Sequence, residues 1–136
     1  MIYTIYIKTT GQIVGVVQTS DISIQLATCQ GDVDGVYSDN QYYIENGVAV
    51  EMPTKPNGFV AFDYETKAWI PDVGQASAYV LGLRLDLLLA SDWTQIPNNP
   101  LTAEKQASWA VYRQELRDIP EQSGYPLNVV WPVAPT

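Results

Sequence analysis

Residues 91–97 read SDWTQIP, residues 100–102 read PLT and residues 109–120 read WAVYRQELRDIP, and the tryptophan of a final WP pair stands at position 131. Three of the four tryptophans of the chain therefore lie in its last third. A tryptophan buries a large area and favours a partner for its indole N–H. Tryptophans at this density indicate either a compact small core or a surface that grips another protein.

Two helices are predicted, one on each side of residues 91–97. The leucines and valine within residues 76–90 fall on two neighbouring helical faces, which predicts a helix with a wide apolar surface. The second helix is predicted from Thr102, an N-cap candidate, to about Asp118, shortly before Pro120. The connection between them is short, so we expect an antiparallel helical hairpin.

The first helix carries more apolar surface than one flank of a small sheet covers. We therefore expect it to lie between two surfaces, one of which a second copy of the chain can supply by self-association through residues 76–90. Arg84 and Asp86 interrupt this stretch, and we expect it to be too short and too charged to cross a bilayer. No membrane is therefore predicted as a partner.

The first half of the chain predicts short β-strands in hairpins, which we expect to form one antiparallel sheet of up to six strands. The strand pairs are residues 2–8 with 13–18, residues 42–45 with 48–51, and residues 59–63 with 67–70. The fold class predicted for the whole chain is α+β. A small antiparallel β domain is expected over residues 1–72, and residues 73–136 are expected to form a partner-binding domain with the helical hairpin and an extended, proline-rich tail.

Composition argues against several classes of function. The formal net charge is −8 with only seven lysines and arginines, so we expect neither nucleic acid nor an anionic membrane surface as a partner. The chain has no histidine and no glycine-rich phosphate loop, which removes the commonest general base and the usual nucleotide sites. We therefore predict a protein that is not an enzyme and that uses no cofactor.

Residues 32–40 bear the nearest likeness to a metal site. Their spacing is similar to an EF-hand loop, but Val36 replaces a ligand and Tyr43 stands where the bidentate glutamate belongs. We interpret this segment as a polar turn and predict no metal. The single cysteine, Cys29, cannot form an intramolecular disulfide and has no base or cation nearby, so we expect a buried small residue.

Seven residues of the second half are candidates for binding a partner, because Trp, Tyr and Arg dominate the hot spots of protein–protein interfaces. Trp109 and Tyr112 share a helical stripe with Leu116, so the alternative is that they form plain core. Arg113 and Arg117 either border a groove or form a solvated face that pairs with acidic residues nearby. The candidates are Arg84, Trp93, Trp109, Tyr112, Arg113, Arg117 and Trp131.

Residues 84–135 resemble the C-terminal segment of bacteriophage tail fibre assembly proteins. The shared pattern is an arginine, two leucines, SDWTQ, a Pro-Leu loop, WAxYRQxLRDIP and WP, in this order and with close spacing. In this chain it falls at Arg84, residues 87–88, 91–95, 100–101, 109–120 and 131–132. The hairpins at residues 42–51 and 62–69 are similar to the small β domain that often precedes it.

The resemblance implies a binding function. A chaperone of this family would cover newly made tail fibre protein in the cytoplasm of the host bacterium until the fibre trimerises. The alternative is a structural protein of the virion tail that joins fibre segments, or joins the fibre to the baseplate.

Overall fold

A computed structural model describes residues 1–24 and 26–136 of the chain. The chain divides into two compact units, Met1–Ile70 and Pro71–Thr136. Small antiparallel sheets come first along the chain and two helices follow, which confirms the predicted α+β class.

One sheet has three antiparallel strands in the order β2-β1-β3. Strand β1 spans Ile2–Ile7, β2 spans Ile13–Gln18 and β3 spans Gln30–Asp34. The register between β1 and β2 shifts by one residue after Ile5, which marks a bulge. Strand β3 includes part of the segment expected to be a polar turn. Its glycine and aspartates have low strand propensity, and pairing with β1 overrides that preference.

The other strands form two separate hairpins. Strands β4 (Tyr42–Glu45) and β5 (Val48–Glu51) are joined by an Asn-Gly turn in which both residues have positive φ, as a type I′ turn requires. Strands β6 (Val60–Asp63) and β7 (Ala68–Pro71) form the second hairpin. Hydrogen bonds from the Thr66 hydroxyl and the Glu65 N–H lower the pKa of Asp63 in its turn.

All three predicted hairpins are present, but the expectation of one continuous sheet is wrong. The described strands form sheets of three, two and two strands. Strand β4 meets the turn of the first hairpin instead of a strand edge, because the Ile44 N–H donates to the main-chain oxygen of Gly11 at 2.8 Å. This hydrogen bond uses a backbone N–H of β4 that would otherwise be available to pair with a strand of the first sheet.

The two helices are α1, Val73–Ala90, and α2, Ala103–Asp118. Asp72 is the N-cap of α1, and its carboxylate accepts a first-turn N–H at 2.9 Å. Thr102 is the N-cap of α2, as predicted, and its hydroxyl accepts a first-turn N–H at 3.3 Å. The capping residues therefore define both helix starts.

The core of the second unit consists of Val80, Tyr112, Leu116 and Ile119. Partly buried side chains from both helices and from the C-terminal tail pack against it, namely Leu87, Leu88, Trp109, Tyr125, Val129 and Trp131. Residues 129–136 form neither helix nor strand. The extended conformation of the tail stays a prediction.

Helix α1 is the one helix in the described part of the chain that is long and apolar enough to cross a membrane. The expectation that it is too short and too charged is wrong on these two criteria, because the helix begins at Val73 and so reaches 18 residues. Length and composition indicate a span only weakly, since the core helix of a soluble protein passes the same test.

Cys29 is exposed and not buried as expected, because it lies in the turn before β3. Within residues 1–24 and 26–136, no group of three or more cysteine, aspartate or glutamate side chains is placed to hold a metal ion.

Two glycines allow the cost of backbone strain to be measured separately from the cost of a steric clash. Gly11 and Gly47 both have φ of 76°, but only at Gly11 would an added Cβ meet another atom, the main-chain oxygen of Ile44 at 2.1 Å. We expect Gly47→Ala to lower the free energy of unfolding by about 1–2 kcal/mol through strain alone. Gly11→Ala should cost about 2–5 kcal/mol, since it adds overpacking to the same strain. Urea unfolding of the full chain measures both, and equal losses would contradict the close contact.

Candidate partner-binding site

The two helices run antiparallel, and each carries an arginine that reaches the C-terminal end of the other. Arg84 of α1 donates to the main-chain oxygens of Leu116 and Arg117, and Arg113 of α2 donates to that of Leu88. The last four carbonyls of a helix lack intrahelical partners and carry partial negative charge, so a cation is favourable there on both counts. We call Arg84 and Arg113 the C-cap arginines.

Arg113 is enclosed by the end of α1. Its side chain is only 9% exposed. One terminal nitrogen lies 2.6 Å from the Leu88 oxygen and 2.7 Å from the Ser91 hydroxyl, and the other lies 2.5 Å from a carboxylate oxygen of Asp92. The Asp92 side chain is 56% exposed, so water weakens the ion pair. The hydrogen bonds to Leu88 and Ser91 at the end of α1 therefore contribute most to holding the Arg113 guanidinium in place.

The connection between the helices is a corner that its own side chains hold by hydrogen bonds. It contains a 3-10 helix, Asp92–Gln95. The Thr94 side chain is fully buried, and its hydroxyl donates to the main-chain oxygen of Ser91 at 2.7 Å. The amide of Gln95 donates to the main-chain oxygen of Gln106 in α2 at 3.2 Å. The motif SDWTQ is thus the corner of the hairpin.

The guanidinium of Arg84 forms hydrogen bonds within the second unit. Its Nε lies 2.7 Å from the Leu116 oxygen and one terminal nitrogen lies 3.2 Å from the Arg117 oxygen. A charge within a leucine-rich helix therefore has an internal role, which is to satisfy the open carbonyls of α2. Asp86, the other charged residue of α1, is exposed.

The aromatic candidates form a row from the surface into the core. The ring centroid of Trp109 lies 6.3 Å from that of Trp93 and 5.5 Å from that of Tyr112. Tyr112 is buried, Trp109 is half-buried and Trp93 is 44% exposed. Trp131 packs on the core from the C-terminal tail. Trp93 is the member of this row with the most open surface.

The structure separates the two arginines that the sequence placed together. Arg117 is exposed, whereas Arg113 is buried and pairs with Asp92 across the hairpin instead of with acidic residues near the end of α2. Tyr112 and Arg113 are 5% and 7% exposed, so little of either residue is open to a partner in the closed hairpin. Direct contact of the candidates with a partner stays a prediction.

The wide apolar surface predicted for residues 76–90 includes an exposed row on α1 whose members were not among the seven candidates for binding a partner. Leu81, Leu85 and Leu89 are 41%, 54% and 59% exposed and follow one another at intervals of four. Such residues form one ridge along a helix. Trp93 continues the same interval beyond the end of the helix. We call Leu81, Leu85 and Leu89 the α1 ridge; their spacing was the signal that could have marked them.

A protein-family model described as "Phage tail assembly chaperone protein" matches residues 80–136. Residues 80–136 are therefore similar to phage tail assembly chaperone proteins. The match covers the α1 ridge, both C-cap arginines, the corner and the tail, and Met1–Ile70 lies outside it. No curated protein and no solved structure gives a significant match to the chain.

This similarity points to bacteriophage tail assembly. For that family, the description implies tail-related protein partners and assembly in the host cell. It also indicates a binding role for proteins of that family.

The role of Arg113 can be measured against its neighbour Arg117. We expect Arg113→Ala to lower the free energy of unfolding by about 2–4 kcal/mol, because it leaves the Leu88 oxygen and the Ser91 hydroxyl without their charged partner. Arg117→Ala removes the same charge from an exposed position one turn further along α2. It should change the free energy of unfolding by no more than about 0.5 kcal/mol. Urea unfolding of the two variants makes the comparison. Equal effects would show that Arg113 does not hold the hairpin.

Proposed function

We propose that this protein is a tail fibre assembly chaperone that binds newly made tail fibre polypeptide in the host cytoplasm and covers its apolar surface until the fibre trimerises. The observation that carries the proposal is the α1 ridge, an exposed apolar row inside the segment that matches the chaperone family. Unassembled fibre chains expose apolar surface and unpaired strand edges, which aggregate unless a partner masks them.

The hairpin holds α1 in place for contact between the α1 ridge and the tail fibre polypeptide. The C-cap arginines, of which Arg113 is buried and Arg84 half-buried, and a hydrogen-bonded corner hold α1 against α2. The ridge is therefore presented without a large ordering cost on binding. Trp93, in the corner that follows α1, adds a 44% exposed aromatic side chain of the type found in hot spots. Arg117 offers an exposed positive charge on α2 that is free to contact the same client.

The ridge has a competing use, which is the pairing of two copies of this chain through α1. Sedimentation of the full chain over a range of concentrations tests this use. If a dimer forms and Leu85→Gln converts it to a monomer, the ridge is a self-association surface, and the client must bind elsewhere.

Co-expression with the tail fibre protein tests the chaperone proposal. The wild-type chain should raise the yield of soluble, trimeric fibre. Leu85→Gln and Trp93→Ala should reduce that gain, because losing about 1 kcal/mol of apolar burial weakens binding about fivefold. Val111→Gln is the matched control, since Val111 is equally exposed, at 59%, but lies on α2.

Each result has a separate meaning. If the wild-type chain gives no gain in soluble fibre, the protein does not act as a fibre chaperone. If all variants give the full gain and remain folded by circular dichroism, the client does not bind the ridge.

A further inference from the structure

We infer that strand β2 in the first unit is a pairing site for an extended segment of a partner polypeptide, which adds to the sheet as a further strand. The segment would carry alternating apolar residues and neutral or basic residues between them. The identity of the partner, an unassembled tail polypeptide, rests on the proposed function. The pairing site itself rests on Met1–Ile70, outside the residues that match the family.

The first observation is the direction of the backbone groups of β2, which is an edge strand. The N–H of Thr19 donates to Met1 and the N–H of Ile7 donates to Gln12, so odd-numbered residues of β1 bond toward β2. Even-numbered residues of β1 bond toward β3, as the bond from the Gly35 N–H to the Ile2 oxygen shows.

This alternation determines which groups of β2 point outward. Ile2 pairs with Gln18 and Thr4 pairs with Val16, and these β1 residues bond toward β3. The N–H and C=O groups of Val16 and Gln18 therefore face away from β1. Among residues 1–24 and 26–136, none of these four groups has a hydrogen-bond partner. An extended segment of another polypeptide can form backbone hydrogen bonds with such a row of donors and acceptors.

The second observation is an open groove beside this edge. It has a volume of about 570 Å³, within the range of ligand-binding clefts. Its lining comes from the start of β2 and from residues 36–42. Val14, Val16 and Val36 are 48%, 48% and 66% exposed there. A strand paired with β2 would place alternate side chains against these valines.

The third observation is the contrast between the two edges of the sheet. The backbone groups of β3 that face away from β1 include those of Asp32 and Asp34, and charged residues at an edge discourage pairing with other chains. Strand β2 has no charged residue, no proline and three valines. Its edge is open where the other is protected.

Charge favours a partner segment over a second copy of this chain. Among the described residues, Asp39 is the only charged one that lines the groove, and the formal net charge of the chain is −8. Two copies paired through β2 would bring like charges together, whereas a neutral or basic segment would not.

A capped peptide with the sequence Lys-Val-Thr-Val-Thr-Val-Lys, labelled with fluorescein, is the probe. Its binding to the full chain is followed by fluorescence anisotropy. Val16→Pro removes one outward N–H at an edge position where proline is tolerated, and Val16→Thr keeps that N–H and the branched shape. We expect Val16→Pro to weaken binding at least tenfold and Val16→Thr to change it less than twofold, while the urea midpoints of both variants stay near that of the wild type.

Charge is tested in the same assay. Asp39→Asn should weaken binding of this peptide several-fold and leave a version with glutamine in place of both lysines unchanged. Equal effects on both peptides would remove Asp39 from the site.

Several results would overturn the inference. These are the absence of peptide binding to the wild-type chain, equal binding by Val16→Pro, or a dimer of the wild-type chain that Val16→Pro dissociates. In co-expression, Val16→Pro should lower the gain in soluble fibre. If it loses the peptide but keeps the full gain, the assignment of the tail polypeptide to this edge is wrong, although the chaperone function stands.

Discussion

The mutual capping of two helices by arginines is the interaction on which the C-terminal hairpin depends. Arg84 and Arg113 each donate hydrogen bonds to carbonyl groups at the end of the other helix, where the regular intrahelical bonds stop. These bonds and the corner around Thr94 hold α1 and α2 together at both ends. The core between them is small, with four buried residues in the part of the chain that the structure describes, so hydrogen bonds at the helix ends supplement apolar packing. The α1 ridge is presented on the outside of this closed pair.

Several of the residues through which the chain resembles tail fibre assembly proteins lie in the interior of the hairpin. Ser91, Thr94, Arg113 and Leu116 are buried, and their bonds shape the hairpin. The family pattern indicates how the segment folds more than where it binds. Surfaces suited to a partner lie mainly outside the pattern, on the α1 ridge and along the edge of β2.

Local signals in the sequence were sufficient for much of the fold. The Asn-Gly turn, the Thr102 cap and the change from strand to helix periodicity all act over a few residues, and the structure confirms the elements they predicted. Strand β3 and the separation of the sheets depend on pairing between distant residues, which propensity does not encode. The same limit applies to the site. Arg113 was recognised as important, but its bond to Asp92 spans 21 residues and could not be inferred from spacing.

A chaperone and a structural tail protein would use the same binding surfaces, and they differ in whether the protein leaves the product. Quantitative mass spectrometry of gradient-purified phage particles and of the lysate, with this chain counted against the tail fibre protein, measures that difference directly. The account predicts that the chain is abundant in the lysate and absent from the particles. A fixed ratio of this chain to fibre in purified particles would contradict it and identify the protein as a component of the tail.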